Sequence, residues 1–302
     1  MEMNYNQYHF NPKQLAEMEE EVDKLMRNQQ GIKAFLSDFM DGTRSQEIPS
    51  DYMTFLHLLF KIYFNLDAVA ALLPAIRTDV RQKISINLLF RSVVDDIINL
   101  YYLLGTVTKG PGRRVSLENE LTILHKEFLM SCEEIIAAEA KIQEYGYHYQ
   151  QLELPESPDL EAALLEMRRQ NPEVYDNKKK EYRKNKAIRA NSLASLKPLF
   201  EMTDYAVFLS EKQKVRFIDA RGFSRSEMFT YLFKYFSQYQ HYSPKAHEFH
   251  LSDALLDLKC YRWALMEVLD SIGEINRILS LNNAQEMEQK LNERIRDSIK
   301  WE

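Results

Sequence analysis

Asn87, Arg91, Asp95 and Asn99 recur every four residues along an apolar stretch, Ile84-Ser-Ile-Asn-Leu-Leu-Phe-Arg-Ser-Val-Val-Asp-Asp-Ile-Ile-Asn-Leu-Tyr-Tyr-Leu-Leu104. A spacing of four puts successive residues on nearly one line of an α-helix, so the four form a polar ladder while Leu89, Val93, Ile97, Leu100 and Leu104 cover the other side. Arg91, Asp95 and Asp96 are the only charges in this stretch. An unpaired buried ion costs several kcal/mol, so Arg91 and Asp95 must pair with each other or with groups on a facing helix. His57, Lys61 and Asn65 make a second row at the same spacing. If the two rows face one another, a polar channel crosses the bundle, with Lys61 and Asn87 as candidate binding residues. The two meanings open to such a channel are an ion-pair network that sets helix register and a ligand or catalytic site.

A second group lies on the aromatic stretch Ser226-Glu-Met-Phe-Thr-Tyr-Leu-Phe-Lys-Tyr-Phe-Ser-Gln-Tyr-Gln-His-Tyr242. Its large side chains occupy an arc too wide for a surface helix, which predicts a central element. Opposite them Ser237 and His241 stand one turn apart, close enough for the imidazole to accept the serine proton. A serine nucleophile would also need an acid on the imidazole and an oxyanion hole, and no Gly-x-Ser-x-Gly elbow is present. His241, His247 and His250 supply too few well-spaced ligands to specify zinc, and the paired Glu-x-x-His motifs of di-iron bundles are missing. No metal or cofactor is expected. The loop Gly105 to Ser116 is rich in Gly and Arg, but no strand precedes it and no Gly-Lys-Ser/Thr ends it, so it reads as an ordinary loop.

The elements that must position these groups are helices. Gly and Pro together number 17 among 302 residues, well below average usage, while Leu, Glu, Lys, Ala, Met and Gln are plentiful. The spacing predicts a helix over about 13–40, with Leu15, Met18, Val22, Leu25, Gln29, Ile32, Leu36 and Phe39 as one narrow seam. Asp41-Gly42 supplies a stop, and a second helix runs from Pro49-Ser50-Asp51 to about Pro74. The ladder helix, a helix over about 117–145 and a last long helix over about 252–281 follow. That last helix repeats the narrow seam with Leu258, Tyr261, Leu265, Val268, Ile272, Ile275 and Leu279. The two seams can pack on each other, on the central helices, or across a homodimer. Ser210-Glu-Lys-Gln213 and Ser224-Arg-Ser-Glu227 carry the capping-box pattern of helix starts. The expected fold is an all-α multi-helix bundle, residues 1–302 forming one helical domain with long heptad-patterned helices at its two ends.

Residues 146–197 differ, with Pro155, Pro158 and Pro172 breaking them into short pieces, and they read as an inserted, flap-like segment. Within it Lys178, Lys179, Lys180, Arg183, Lys184, Lys186 and Arg189 oppose the single acid Glu181. Against a net charge of -6 for the chain, that run marks either a solvated helix face or the contact for RNA or another polyanion. Two cysteines, Cys132 and Cys260, build neither a disulfide framework nor a thiolate cage. With no basic-then-apolar leader at Met1 and with polar groups scattered through both apolar stretches, the reading is a cytoplasmic protein without membrane spans.

A long helix carrying Arg-x-x-x-acid (Arg91 to Asp95), then an aromatic helix reading Tyr-x-Ser-x-x-x-His (Tyr235, Ser237, His241) and a closing long helix, resembles a group of bacterial all-helical proteins likened to the HEPN superfamily, over about residues 50–105 and 225–280. The resemblance implies a metal-independent ribonuclease of a defence or toxin system, often dimeric. In that reading a 2'-hydroxyl attacks the adjacent phosphate with His241 as general acid or base. Arg91 stabilises the phosphorane, Asp95 orients Arg91, and Tyr235 or Ser237 binds phosphate oxygens. The family's Arg and His fall within one short motif, and this chain has no His four to six residues after an Arg in the matching stretch. The competing expectation is a non-enzymatic interaction or regulatory protein whose ladder sets packing or binds a small ligand.

Overall fold

Buried apolar seams decide which helices touch. The computed structural model describes residues 4–44, 46–108, 210–241 and 250–280, together with scattered positions between 117 and 138, between 162 and 170, and at 248 and 289. Among the described residues there are seven α-helices joined in places by 3₁₀ turns, and no strand. The expectation of an all-α bundle holds. The helices are α1 (Asn6–His9), α2 (Pro12–Thr43), α3 (Met53–Leu72), α4 (Lys83–Val107), α5 (Glu211–Ala220), α6 (Ser226–Ser237) and α7 (Leu255–Leu279). The chain divides into two compact units, one of residues 1–111 with 211–302 and one of residues 112–210. All seven helices belong to the first. The basic run Lys178, Lys179, Lys180, Arg183 and Lys184 lies outside the described residues.

Helix α4 is the central element, packed against α3, α5, α6 and α7. Its burial on several sides is why its sequence is apolar nearly all round. Helix α2 packs on α3 and on α7. The two narrow seams at the ends of the chain therefore meet within one chain, Met18, Val22, Leu25, Ile32, Leu36 and Phe39 on one side and Leu258, Tyr261, Leu265, Val268, Ile272 and Ile275 on the other, all buried. At the middle the rings of Phe90, Tyr261 and Phe236 all stack on one another, with Phe90 4.5 Å from Tyr261 and 5.7 Å from Phe236 between centroids. Large offset ring contacts of this kind add to the area they bury.

Helix ends depart from expectation in instructive ways. Helix α2 begins at Pro12 because Asn11 caps it, accepting from Gln14 N while the Gln14 side chain accepts from Asn11 N. It runs through Asp41-Gly42 to Thr43, whose hydroxyl donates to Met40 O. The expected capping box at Ser224 does not form. Ser224 takes a positive φ of 50°, and Asp219 from the preceding helix accepts instead from Arg225 N (2.8 Å) and Ser226 N (3.0 Å). A carboxylate already aimed at the free amides outcompetes a neutral hydroxyl. Helix α7 stops at Ser280, also left-handed at φ 50°.

By length and composition the helical stretch Ser50–Arg77 around α3 is apolar enough to cross a membrane, an 18-residue window within it having a mean hydropathy of 1.5. In the fold α3 buries Phe55, Leu56, Leu59, Ile62, Leu66 and Val69 against α2 and α4.

Candidate polar cleft and buried tyrosine cluster

The ladder does not serve one site. Because α4 is surrounded, a line of side chains along it passes from one neighbouring helix to another, and the four rungs separate into two environments.

Asn87, the first rung, is fully buried and donates to Asp257 Oδ1 at 2.9 Å and to Lys83 O at 2.7 Å. Tyr235 OH donates to the same Asp257 oxygen at 2.9 Å, and Tyr239 OH at 2.5 Å. Lys83 Nζ lies 3.2 Å from Asp257 Oδ2 and donates to the backbone oxygens of Ser252 (2.9 Å) and Asp253 (3.1 Å). Burial pulls the Lys83 ammonium below its usual range, against the pull of Asp257, and pushes both tyrosines well above theirs, with the Asp257 charge adding to the rise. Three donors on one carboxylate and a cation behind it make a closed cluster centred on Asp257, in which Asn87 Oδ1 alone of the amide's groups has no hydrogen-bond partner. Asn87 and Tyr235, expected to bind substrate, both donate to Asp257.

The remaining rungs line an open cleft of about 350 Å³, bordered by Lys61, Leu88, Arg91, Ser92, Asp95, Asp96, Ile98, Asn99, Glu211, Lys214 and Gln240. Arg91 forms an ion pair with Asp95, donates from Nε to Ser237 Oγ at 2.8 Å, and places its guanidinium carbon 3.6 Å from the centre of the Phe233 ring. Lys61 Nζ donates to Asp96 Oδ1 at 2.7 Å, and Asn65 Nδ2 donates to Ser92 Oγ at 3.3 Å. Lys214 Nζ donates to Asn99 Oδ1 at 2.7 Å. Lys61 borders the same cleft as Arg91, Asp95 and Asn99, and the row on α3 engages Asp96 and Ser92 rather than the ladder itself. His57, its first member, is exposed.

Ser237 and His241 do not form the expected pair. Helix α6 ends at Ser237, a 3₁₀ turn covers Gln238–Gln240, and His241 is extended and exposed. The Ser237 hydroxyl donates to Phe233 O at 2.6 Å, so its proton is committed to the helix backbone and its lone pair to Arg91. His241 does not border the cleft. Among the described residues no group of His, Cys, Asp and Glu is placed to hold a metal ion.

Sequence reading missed Asp257, Lys83 and Tyr239 in the cluster and Asp96, Lys214, Glu211 and Gln240 in the cleft. Two signals were available. Asp257 flanks the last apolar seam, one turn before Tyr261, and Asp96 is the third charge of the stretch from Ile84 to Leu104. No protein-family profile, curated protein or solved structure matches the chain.

Proposed function

We propose that this chain is a non-enzymatic helical binding or regulatory protein whose cleft between α3, α4 and α5 receives a small polar ligand. One observation carries this reading: the cleft gathers three cations, Lys61, Arg91 and Lys214, and three carboxylates, Asp95, Asp96 and Glu211, with no histidine or cysteine on its border among the described residues. Its volume falls at the small end of small-molecule sites. Side chains held by their own ion pairs and hydrogen bonds are preorganised for recognition.

The ribonuclease reading draws support from a different contact, the Arg91 guanidinium held between Asp95 and Ser237. That gives the arginine of a phosphoryl-transfer site its orienting acid, but the exposed His241 would have to reach the same phosphate.

Thermal unfolding with spermidine, L-arginine, inorganic phosphate and AMP tests the binding reading. A saturable rise in melting temperature with one probe, lost in Leu88→Trp at the half-open cleft border, is the expected result. No saturable shift with any of the four overturns it.

A further inference from the structure

The Asp96 carboxylate is the buried charge of the cleft that Lys61 reaches from solvent. Each cation has a partner in the protein, Lys61 in Asp96, Arg91 in Asp95 and Ser237, and Lys214 in Asn99, although Arg91 Nη1 makes its ion pair without a hydrogen bond. The acceptors are not all engaged. Asp96 is 2% exposed, borders the cleft, and takes a hydrogen bond only on Oδ1, while its Oδ2 accepts none. A buried carboxylate oxygen without a donor costs the desolvation of that atom, and an ammonium in the place of Lys61, with three N–H groups, can meet Oδ2 as well as Oδ1. Asp95 adds a second, half-open carboxylate on the same border, with a side chain 36% exposed.

The Lys61 contact shows what kind of donor suits. Its side chain is 59% exposed while the carboxylate it reaches is 2% exposed. A primary ammonium on a flexible alkyl stem thus enters from solvent to meet Asp96. Such a long surface side chain gives up rotamer freedom to hold that place, so a diffusible group of the same chemistry can exchange with it at small loss to the fold. Burial also pushes the Asp96 carboxyl above its usual range, opposed by Lys61, so a second cation there favours the charged form.

We propose, resting on the cleft as a binding site, that its ligand is a small linear aliphatic amine whose primary ammonium pairs with Asp96 and Asp95, and that Lys61 occupies the position in competition with it. Lys61 is then a built-in competitor that sets the affinity threshold, because ligand must displace it before the cleft is filled.

Titration calorimetry of the whole protein with spermidine at 0.15 M salt, beside inorganic phosphate and AMP as anionic probes, tests this. The expected results are saturable spermidine binding, tightened about tenfold in Lys61→Met, weakened at least about tenfold in Asp96→Asn, and abolished in Leu88→Trp. Circular dichroism reports whether Asp96→Asn folds; if it does not, the Lys61→Met comparison decides. Failure of spermidine to bind Lys61→Met overturns the proposal, as does binding that Asp96→Asn and Leu88→Trp leave unchanged, which marks diffuse attraction to an acidic protein. Binding of phosphate or AMP that Leu88→Trp removes, without spermidine binding, overturns the amine assignment and leaves the cleft as a binding site. No binding of any probe removes both.

Discussion

Lys83 Nζ stands 3.2 Å from Asp257 Oδ2 with both side chains closed to solvent, tying the first residue of α4 to the first turn of α7. Removing one member of a buried, hydrogen-bonded pair strands the other, which costs far more than the pair contributes. Lys83→Met and Asp257→Ala are each expected to lower stability by about 3–5 kcal/mol, Asp257→Ala also orphaning the Tyr235 and Tyr239 hydroxyls. The double variant Lys83→Met with Asp257→Ala should cost less than the sum of the two single changes, by about 0.5–3 kcal/mol. Urea unfolding measures all of these, and a loss below about 1 kcal/mol for Asp257→Ala would refute the anchoring role.

Arg225 bridges the start of α6 to α7 through Glu267 (3.2 Å) and Asp270 (2.6 Å). Burial pushes the Glu267 carboxyl up to about 7, with Arg225 opposing the rise. The folded state therefore holds this proton more tightly than the unfolded chain does. Its contribution is fully present below about pH 4.5, where the unfolded carboxyl titrates, and is lost as pH rises through about 7. From the size of the shift the loss is up to about 3 kcal/mol. Urea midpoints at pH 5, 6, 7 and 8 should fall with pH in the wild type relative to Glu267→Gln. Parallel profiles for the two proteins would show that Glu267 does not titrate in this range.

Arg91→Ala separates binding from catalysis. The change leaves Asp95 without its cation and strips the Phe233 face and the Ser237 lone pair. A stability loss of about 1–3 kcal/mol is expected, together with RNA left intact by the wild type. Wild-type cleavage of RNA that both Arg91→Ala and His241→Ala abolish would instead establish the ribonuclease reading.

Gly105 permits the approach of α5 to α4. A Cβ there would lie 2.8 Å from Phe217 Cε1 and 3.1 Å from Arg221 Cγ, and the Phe217 ring is buried and cannot swing into water. Alanine is worth about 1 kcal/mol over glycine in a helix. Here overpacking outweighs that gain, and Gly105→Ala should lower the thermal midpoint, at a cost of about 1–3 kcal/mol. A raised midpoint would mean that α5 shifts freely.

Periodicity alone determined the elements. The three-and-four spacing of Met18 to Phe39 and of Leu258 to Ile275 dictates narrow apolar stripes, and stripes must be buried, so the all-α architecture and most of the core follow from local rules. The pairing of Arg91 with Asp95 was legible too, because i and i+4 neighbours meet on any helix. Which partners lie beyond the helix was not. Asn87 meets Asp257 and Asn99 meets Lys214 only because α7 and α5 pack on different sides of α4, and that choice depends on how all the stripes are buried at once. For the same reason Ser237 found Arg91 rather than His241: the turn from α-helix to 3₁₀ after Ser237 moves the histidine off the line that spacing implies. Spacing along a chain sets which side chains share a line; tertiary packing decides what each one faces.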